Sequence, residues 1–252
     1  MTSPRRGDRE PAEEGAYLSL LEGFDLRLNG ERIEVPLSAQ RLIAFLALQN
    51  RPLQRGFVAG NLWLESSEQR AGANLRSALW RLQRHGRRLV ETHGSRLSLS
   101  PEVRVDVHQA AARARGLLDG SGGGGQADTD HEGLDLALTG ELLPDWYEDW
   151  ILVERERFRQ LRMHALESLC ERFTAAGRHA HAIEAGLTAV AAEPLRESAH
   201  RALIRSYLAE GNPAEAIRQY RLYERLLNEE LGAQPSAQIR ELVAATGMAA
   251  ST

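Results

Sequence analysis

Not one of the 252 residues is lysine; all 31 basic side chains are arginine. A phosphate loop of the Gly-Lys-Ser/Thr type is therefore excluded, although GSGGGG at 120–125 has the glycines for one. The surrounding segment LDGSGGGGQADTDHEG (118–133) reads instead as a flexible linker. Cysteine occurs once, at Cys170, so no internal disulfide forms, as suits a reducing compartment. Its neighbours at helical spacing, Leu166, Leu169 and Phe173, make it a core residue. No run approaches the roughly 18 apolar residues of a membrane span. The opening MTSPRRGDREPAEEG has no apolar stretch, so a secretory signal is not expected and 1–16 reads as a disordered tail. A cytoplasmic location without membrane contact is the expectation. Catalytic signatures are missing too. His179-x-His181 has no third ligand in spacing, and there is no Ser/His/Asp pattern or cofactor loop. No enzyme activity, cofactor or metal is expected.

The formal net charge is −4, but it is unevenly spread. Residues 17–108 hold 13 arginines against 9 acids, whereas 109–252 hold 15 against 22. A basic module precedes an acidic one, which makes nucleic acid a candidate partner for the first. A solvated arginine surface is the competing reading. Positive charge is densest in AGANLRSALWRLQRHGRRLVETHGSRLSLS, Ala71 to Ser100, where Glu91 alone opposes the arginines.

The first module begins with strands over Tyr17–Leu21 and Phe24–Leu28. Asn29-Gly30 is a strong hairpin turn, Arg32–Val35 would pair back, and Pro36 ends that strand. Ser38 is the expected N-cap of a helix over Ala39–Gln49. Further helices are expected over Arg55–Leu62 and about Ala71–His85, followed by short strands at Arg88–Thr92 and Arg96–Ser100. In the third helix Leu75, Ala78, Leu79 and Leu82 recur at i, i+3, i+4 and i+7, a buried stripe. Its other face carries Asn74, Arg76, Ser77, Trp80, Arg81 and Arg84. Arginine forks and amide or hydroxyl groups suit base edges and phosphates. Trp80 has two placements, in a groove or in the core. The hairpin adds Arg87, Arg88 and Arg96 for neighbouring phosphates. Three helices and a basic hairpin are the order of a winged helix-turn-helix.

Beyond the linker the pattern is helical, beginning with a long helix over Trp146–Ala176. Asp145, Glu148 and Asp149 suit a helix start, and Trp146, Tyr147 and Trp150 would dock it on a neighbour. A shift of about 34 residues superposes Ala165 on Ala199, Leu169 on Leu203, Phe173 on Tyr207, Gly177 on Gly211 and Ala182 on Ala216. That is tetratricopeptide spacing, in which small residues let paired helices approach. The fold class expected is mainly α with small β: a winged helix-turn-helix at 17–108, which a family resemblance implies to be of response-regulator type, then an all-α tetratricopeptide-like domain at 109–245. A glycine-rich linker lies at 119–133 and a tail at 246–252.

In this order the two halves resemble the SARP family of bacterial transcriptional activators. The carrying stretches are LSAQRLIAFLALQNRPLQR (37–55), NLWLESSEQRAGANLRSALWRLQR (61–84) and PLRESAHRALIRSYLAEGNPAEAIRQYRLYERLLNEELGAQPS (194–236). Departures are Ala39, where the family often has lysine, and Gly94-Ser95-Arg96 in place of a Gly-Tyr wing pair. The resemblance implies a third helix in the major groove of double-stranded DNA, with Asn74, Arg76, Ser77, Trp80 and Arg81 facing it and Arg96 as a wing contact. It implies promoter direct repeats as sites, and a loop (Glu65, Ser66, Ser67, Glu68, Gln69 and Arg70) turned toward RNA polymerase. The repeats are a candidate homodimer surface. Two other readings stay open: a tetratricopeptide-type adaptor whose basic domain contacts protein or RNA, and a regulator whose helical half binds a small effector.

Overall fold

The computed structural model describes residues 15–84, 88–119 and 140–244. Arg87, most of the expected linker, residues 1–14 and the 246–252 tail lie outside them; Ala16, expected in the tail, is instead the first residue of a strand. The chain divides into two compact units. The first is drawn from Met1–Gln109 with Glu141–Arg155, the second from Ala110–Gly140 with Glu156–Thr252. The segment 141–155, expected in the helical domain, thus belongs with the N-terminal one.

Among its described residues ahead of 106, the first unit holds two small sheets and three helices. Strands β1 (Ala16–Ser19), β2 (Asp25–Leu28), β3 (Glu31–Arg32) and β7 (Val103–Val105) form a sheet in the order β3-β2-β1-β7. β1 pairs antiparallel with β2, Leu18 opposite Leu26, and parallel with β7, Leu18 opposite Val105. All three side chains are buried. Asn29 and Gly30 both take positive φ, 51° and 82°, the primed turn that matches strand twist. β3 stops at Arg32 rather than Val35, because Val35 turns inward and its carbonyl accepts from Gln40 Nε2 at 2.8 Å.

Helix α1 (Leu37–Gln49) starts earlier than expected, with Pro36 and not Ser38 at the N-cap. Its buried residues include Ala39, Leu42, Ile43, Phe45 and Leu46, so it is the unit's central helix. α2 (Arg55–Leu62) and α3 (Glu68–Gln83) follow, then β5 (Val90–His93) and β6 (Arg96–Leu99). The two-residue β4 (Leu53–Gln54) joins them in the order β4-β6-β5. β4 and β7 are too short for a period-two signal in sequence, and pairing alone defines them.

Helix α4 (Asp106–Leu118) opens with a buried carboxylate that ties it to the first sheet. Asp106 accepts from the backbone N–H of Leu20 (2.9 Å) and Leu21 (3.0 Å) and from Ser19 Oγ (2.7 Å). α5 (Asp149–Ala175) begins three residues after Trp146, the expected start.

The second unit has only helices and their turns among its described residues: the later parts of α4 and α5, then α6 (His179–Ala192), α7 (Glu197–Glu210), α8 (Pro213–Leu231) and α9 (Ala237–Ala244). The 34-residue correspondence has a structural counterpart. Gly177 and Gly211 hold the inter-helix turns at φ 73° and 84°. Ala165 and Ala199 are fully buried, as are Ala182 and Ala216. A Cβ on Gly186 would stand 3.0 Å from Leu203 Cδ1 and 3.3 Å from Cys170 Sγ, so glycine sets that helix approach. Cys170 is buried 3.2 Å from Ser206 Oγ, and burial pushes its thiol pKa up, which keeps it a protonated core residue. α9 closes the stack with Ile239 and Val243 against Ile204, Tyr223 and Leu227.

Candidate nucleic-acid interface

The candidate interface is built on α2, α3 and the β5–β6 hairpin. α3 is anchored by Ala71, Leu75, Ala78, Leu79 and Leu82, all buried. The expected stripe therefore orients the helix and leaves the opposite face in water. On that face Asn74, Arg76, Ser77, Trp80, Arg81 and Arg84 are all exposed.

These residues do not share one line. At about 100° of turn per residue, Trp80, Arg84 and Ser77 occupy the middle, and Arg76 flanks them on one side. Arg81 and Asn74 flank them on the other, about 140–160° from Arg76. Trp80 is not in the core: it is 57% exposed, and the Arg84 guanidinium lies over its ring at 4.8 Å from the centroid. Arg76 folds back along α3, its Nη1 3.6 Å from where a Cβ on Gly72, one turn earlier, would be.

That side of α3 opens as a groove of about 540 Å³ against α2, bordered by Arg55, Gly56, Gly60, Gly72 and Arg76. Nothing lies within 4 Å of a Cβ built on Gly56 or Gly60. Arg55 was not among the expected site residues. The signal for it is the Gly56/Gly60 spacing of one helical turn, which leaves α2 bare beside a cation.

The hairpin is fastened to the start of α2. Leu53 pairs with Leu97, and Arg55 N donates to the Ser95 carbonyl at 2.9 Å. Ser95 Oγ donates to Gln54 Oε1 at 2.8 Å. Arg88 and Arg96 are exposed. Arg87, singled out in the sequence, lies outside the described residues. Among the expected polymerase-facing residues, Glu68, Gln69 and Arg70 form the first turn of α3 instead of a loop. The inter-helix turn is shorter, Trp63–Ser67. Within it Leu64 is 72% exposed, Glu65 and Ser67 are exposed, and Ser66 is half-buried.

The segment 141–155 packs on the same unit, with Tyr147–Trp150 beside Arg41 and the Asn61–Ser66 end of α2 and its turn. Trp146 stacks on Phe24 with centroids 6.1 Å apart, and Trp150 meets Phe45 edge-on at 5.0 Å. Arg41 Nε stands 2.7 Å from Glu148 Oε1, an ion pair without hydrogen-bond alignment. Arg155 donates to the carbonyls of Leu142 (2.9 Å), Leu143 and Trp146 (2.8 Å), which folds the segment on itself. The three aromatics flagged by sequence are thus divided: Trp146 and Trp150 dock, whereas Tyr147 is 78% exposed.

Among the described residues no group of three His, Cys, Asp or Glu side chains is arranged to hold a metal, and no helix is long and apolar enough to cross a membrane.

Residues 105–245 match the family described as Bacterial transcriptional activator domain. The chain is 28% identical over 222 residues to the regulatory protein AfsR of Streptomyces coelicolor, covering 85% of this chain. It is 27% identical over 217 residues to AfsR of Streptomyces griseus, covering 82%. It spans 22% of the length of each of these relatives. Among solved structures, Mycobacterium tuberculosis EmbR in complex with a low affinity phosphopeptide superposes with a TM-score of 0.66 at 18% identity. That match covers 92% of this chain and 65% of the other, and it establishes a shared fold. The helical half, preceded by a three-helix unit with a basic hairpin, places the chain in the bacterial transcriptional activator domain family, among its SARP-type members.

Proposed function

We propose that this protein is a sequence-specific, double-stranded-DNA-binding transcriptional regulator acting in the cytoplasm, an activator that engages promoter direct repeats and recruits RNA polymerase. The observation that carries the reading is the α3 surface. Its apolar stripe is fully used in the core, and its free face carries Arg76, Arg81 and Arg84 with Asn74, Ser77 and Trp80, beside a hairpin presenting Arg88 and Arg96. A face of that composition has donors for guanine and adenine edges and charge for phosphates. The basic excess in 17–108 adds a field that draws a polyanion.

Arg81 and Asn74, on the flank away from α2, are the base readers in this scheme. Arg76 beside the glycine-lined groove and Arg96 on the hairpin serve the phosphate backbone, Arg76 in concert with Arg55. The short turn Trp63–Ser67, with Leu64 and Glu65 open to solvent, is the surface for RNA polymerase, in keeping with the family.

Site selection on random duplex DNA, followed by affinity measurements at several salt concentrations, tests the reading. A recovered motif is expected, with direct repeats about one helical turn apart. Arg81→Ala should relax preference at one position by about 1–3 kcal/mol. Arg96→Ala should weaken all sequences alike and flatten the salt dependence by about one unit of slope. Weak, sequence-blind binding by the full chain would sink the proposal.

A further inference from the structure

An indole in water is costly to leave uncovered, and Trp80 is left uncovered at the centre of the α3 face. Every described large apolar residue of α3 other than Trp80 is buried. The indole is also not loosely placed. The Arg84 guanidinium sits over its ring, 4.8 Å from the centroid, one turn further along the helix. More than half of the residue stays open, and its exposed neighbours on the same face are Arg76, Ser77, Arg81 and Arg84.

That company narrows the partner. An apolar protein surface laid on Trp80 would strip water from three arginines without replacing it. A nucleic-acid groove compensates the arginines with phosphates and base acceptors while bringing one apolar group to the indole. In the major groove that group is the C5 methyl of thymine, which no other base presents. Arginine and asparagine at the flanks have no means of recognising it.

We propose that Trp80, steadied by Arg84, is a specificity-determining residue that reads a thymine methyl in the major groove. The proposal rests on the reading of α3 as the DNA-contacting helix and adds to it a named base and a named atom. It makes the preference at one position of the site apolar in origin, independent of salt, and separate from the arginine-read positions. Arg84, its guanidinium over the ring, then acts as a positioning residue, and Arg84→Ala should lower the thymine-to-uracil ratio at that position.

The experiment takes the motif selected by the full-length wild-type chain and replaces its thymines one at a time by deoxyuridine, which removes only the methyl. Selection failing to return any motif overturns the DNA reading of α3 and this proposal with it, whereas a motif indifferent to every methyl overturns this proposal alone. Given a motif, one thymine is expected at which wild-type affinity drops about four-fold, the value of one buried methyl group. The drop should be the same at low and high salt. Trp80→Ala should bind thymine and uracil equally there, and Trp80→Leu should keep part of the ratio. Because Trp80 is exposed, both variants should fold, and their circular dichroism should match the wild type. The proposal is overturned if Trp80→Ala keeps the wild-type thymine-to-uracil ratio, or if no single methyl matters to the wild type. It is equally overturned if Trp80→Ala weakens all sequences by one common factor, which would make the indole a non-specific contact.

Discussion

Asp106 offers the sharpest test of how the first unit is held together. Its carboxylate takes the backbone N–H groups of Leu20 and Leu21, at 2.9 and 3.0 Å, where β1 ends. It also receives Ser19 Oγ at 2.7 Å and its own neighbour's N–H, Val107, at 2.6 Å. Leu20 and Leu21 are buried, so water cannot replace the acceptor. Asp106→Ala strands the buried amides of Leu20, Leu21 and Val107, each costing about 1–3 kcal/mol, whereas the Ser19 hydroxyl can turn to solvent. The expected loss is about 3–5 kcal/mol. Asp106→Asn keeps one acceptor oxygen, and about 1–3 kcal/mol should go. Denaturant unfolding followed by tryptophan fluorescence reads this well, because Trp63, Trp80, Trp146 and Trp150 all belong to the first unit. Two compact units call for fitting the transitions separately. If Asp106→Ala unfolds within about 0.5 kcal/mol of the wild type, the carboxylate is not what joins β1 to α4, and the account of that junction is wrong.

Three further outcomes follow from the packing. Trp150→Ala removes the edge-on contact with Phe45 and the contact with Trp146, and should cost the first unit about 2–3 kcal/mol, less than a fully buried tryptophan because Trp150 is half-buried; an unchanged midpoint would mean that 141–155 is only draped on the unit. Gly186→Val has no room beside Leu203 and Cys170, so the second unit should lose about 1–3 kcal/mol in thermal or chemical unfolding, and a stabilised variant would refute the close approach. His200 is buried, accepts at Nδ1 from Gln219 Nε2 (2.9 Å) and donates from Nε2 to the Pro194 carbonyl (2.9 Å), which fits only the neutral ring; burial lowers its pKa below the ordinary 6.5. The unfolded chain therefore takes up a proton that the folded one refuses. Stability contributed by this group is complete above pH 6.5 and falls by up to about 1.4 kcal/mol per pH unit below it. His200→Gln should show a shallower loss between pH 6.5 and 5; equal slopes would show that the histidine carries no such linkage.

How much of this was readable from the chain itself depends on the range of the forces involved. The α3 stripe, the Asn29-Gly30 turn, α2 to the residue, and the paired Gly177 and Gly211 turns are local in origin. Side-chain periodicity and positive-φ preference act within a few residues, so the sequence displays them directly. The same holds for the exposed face of α3, since knowing the buried stripe settles what lies opposite. Other features were misplaced for a definite reason. Ser38 is a good capping residue, but the helix begins at Leu37 because the Pro36 carbonyl already accepts the N–H groups of Ala39 and Gln40 at 2.8 and 3.0 Å, making Pro36 the N-cap. Glu68, Gln69 and Arg70 look like loop because they are polar, yet they extend α3 by a turn.

The sequence by itself thus determined the order of modules, the helical repeat and which face of α3 is free. Only tertiary structure decided the rest: that Trp80 stays in water under Arg84, that Arg76 and not Arg81 borders the glycine-lined groove against α2, and that residues 141–155 return to brace the first unit through Trp146 and Trp150. The physical reason is distance along the chain. Phe45 and Trp150 meet because burying both rings together is favourable, and nothing in the local pattern around either residue records the identity of its partner.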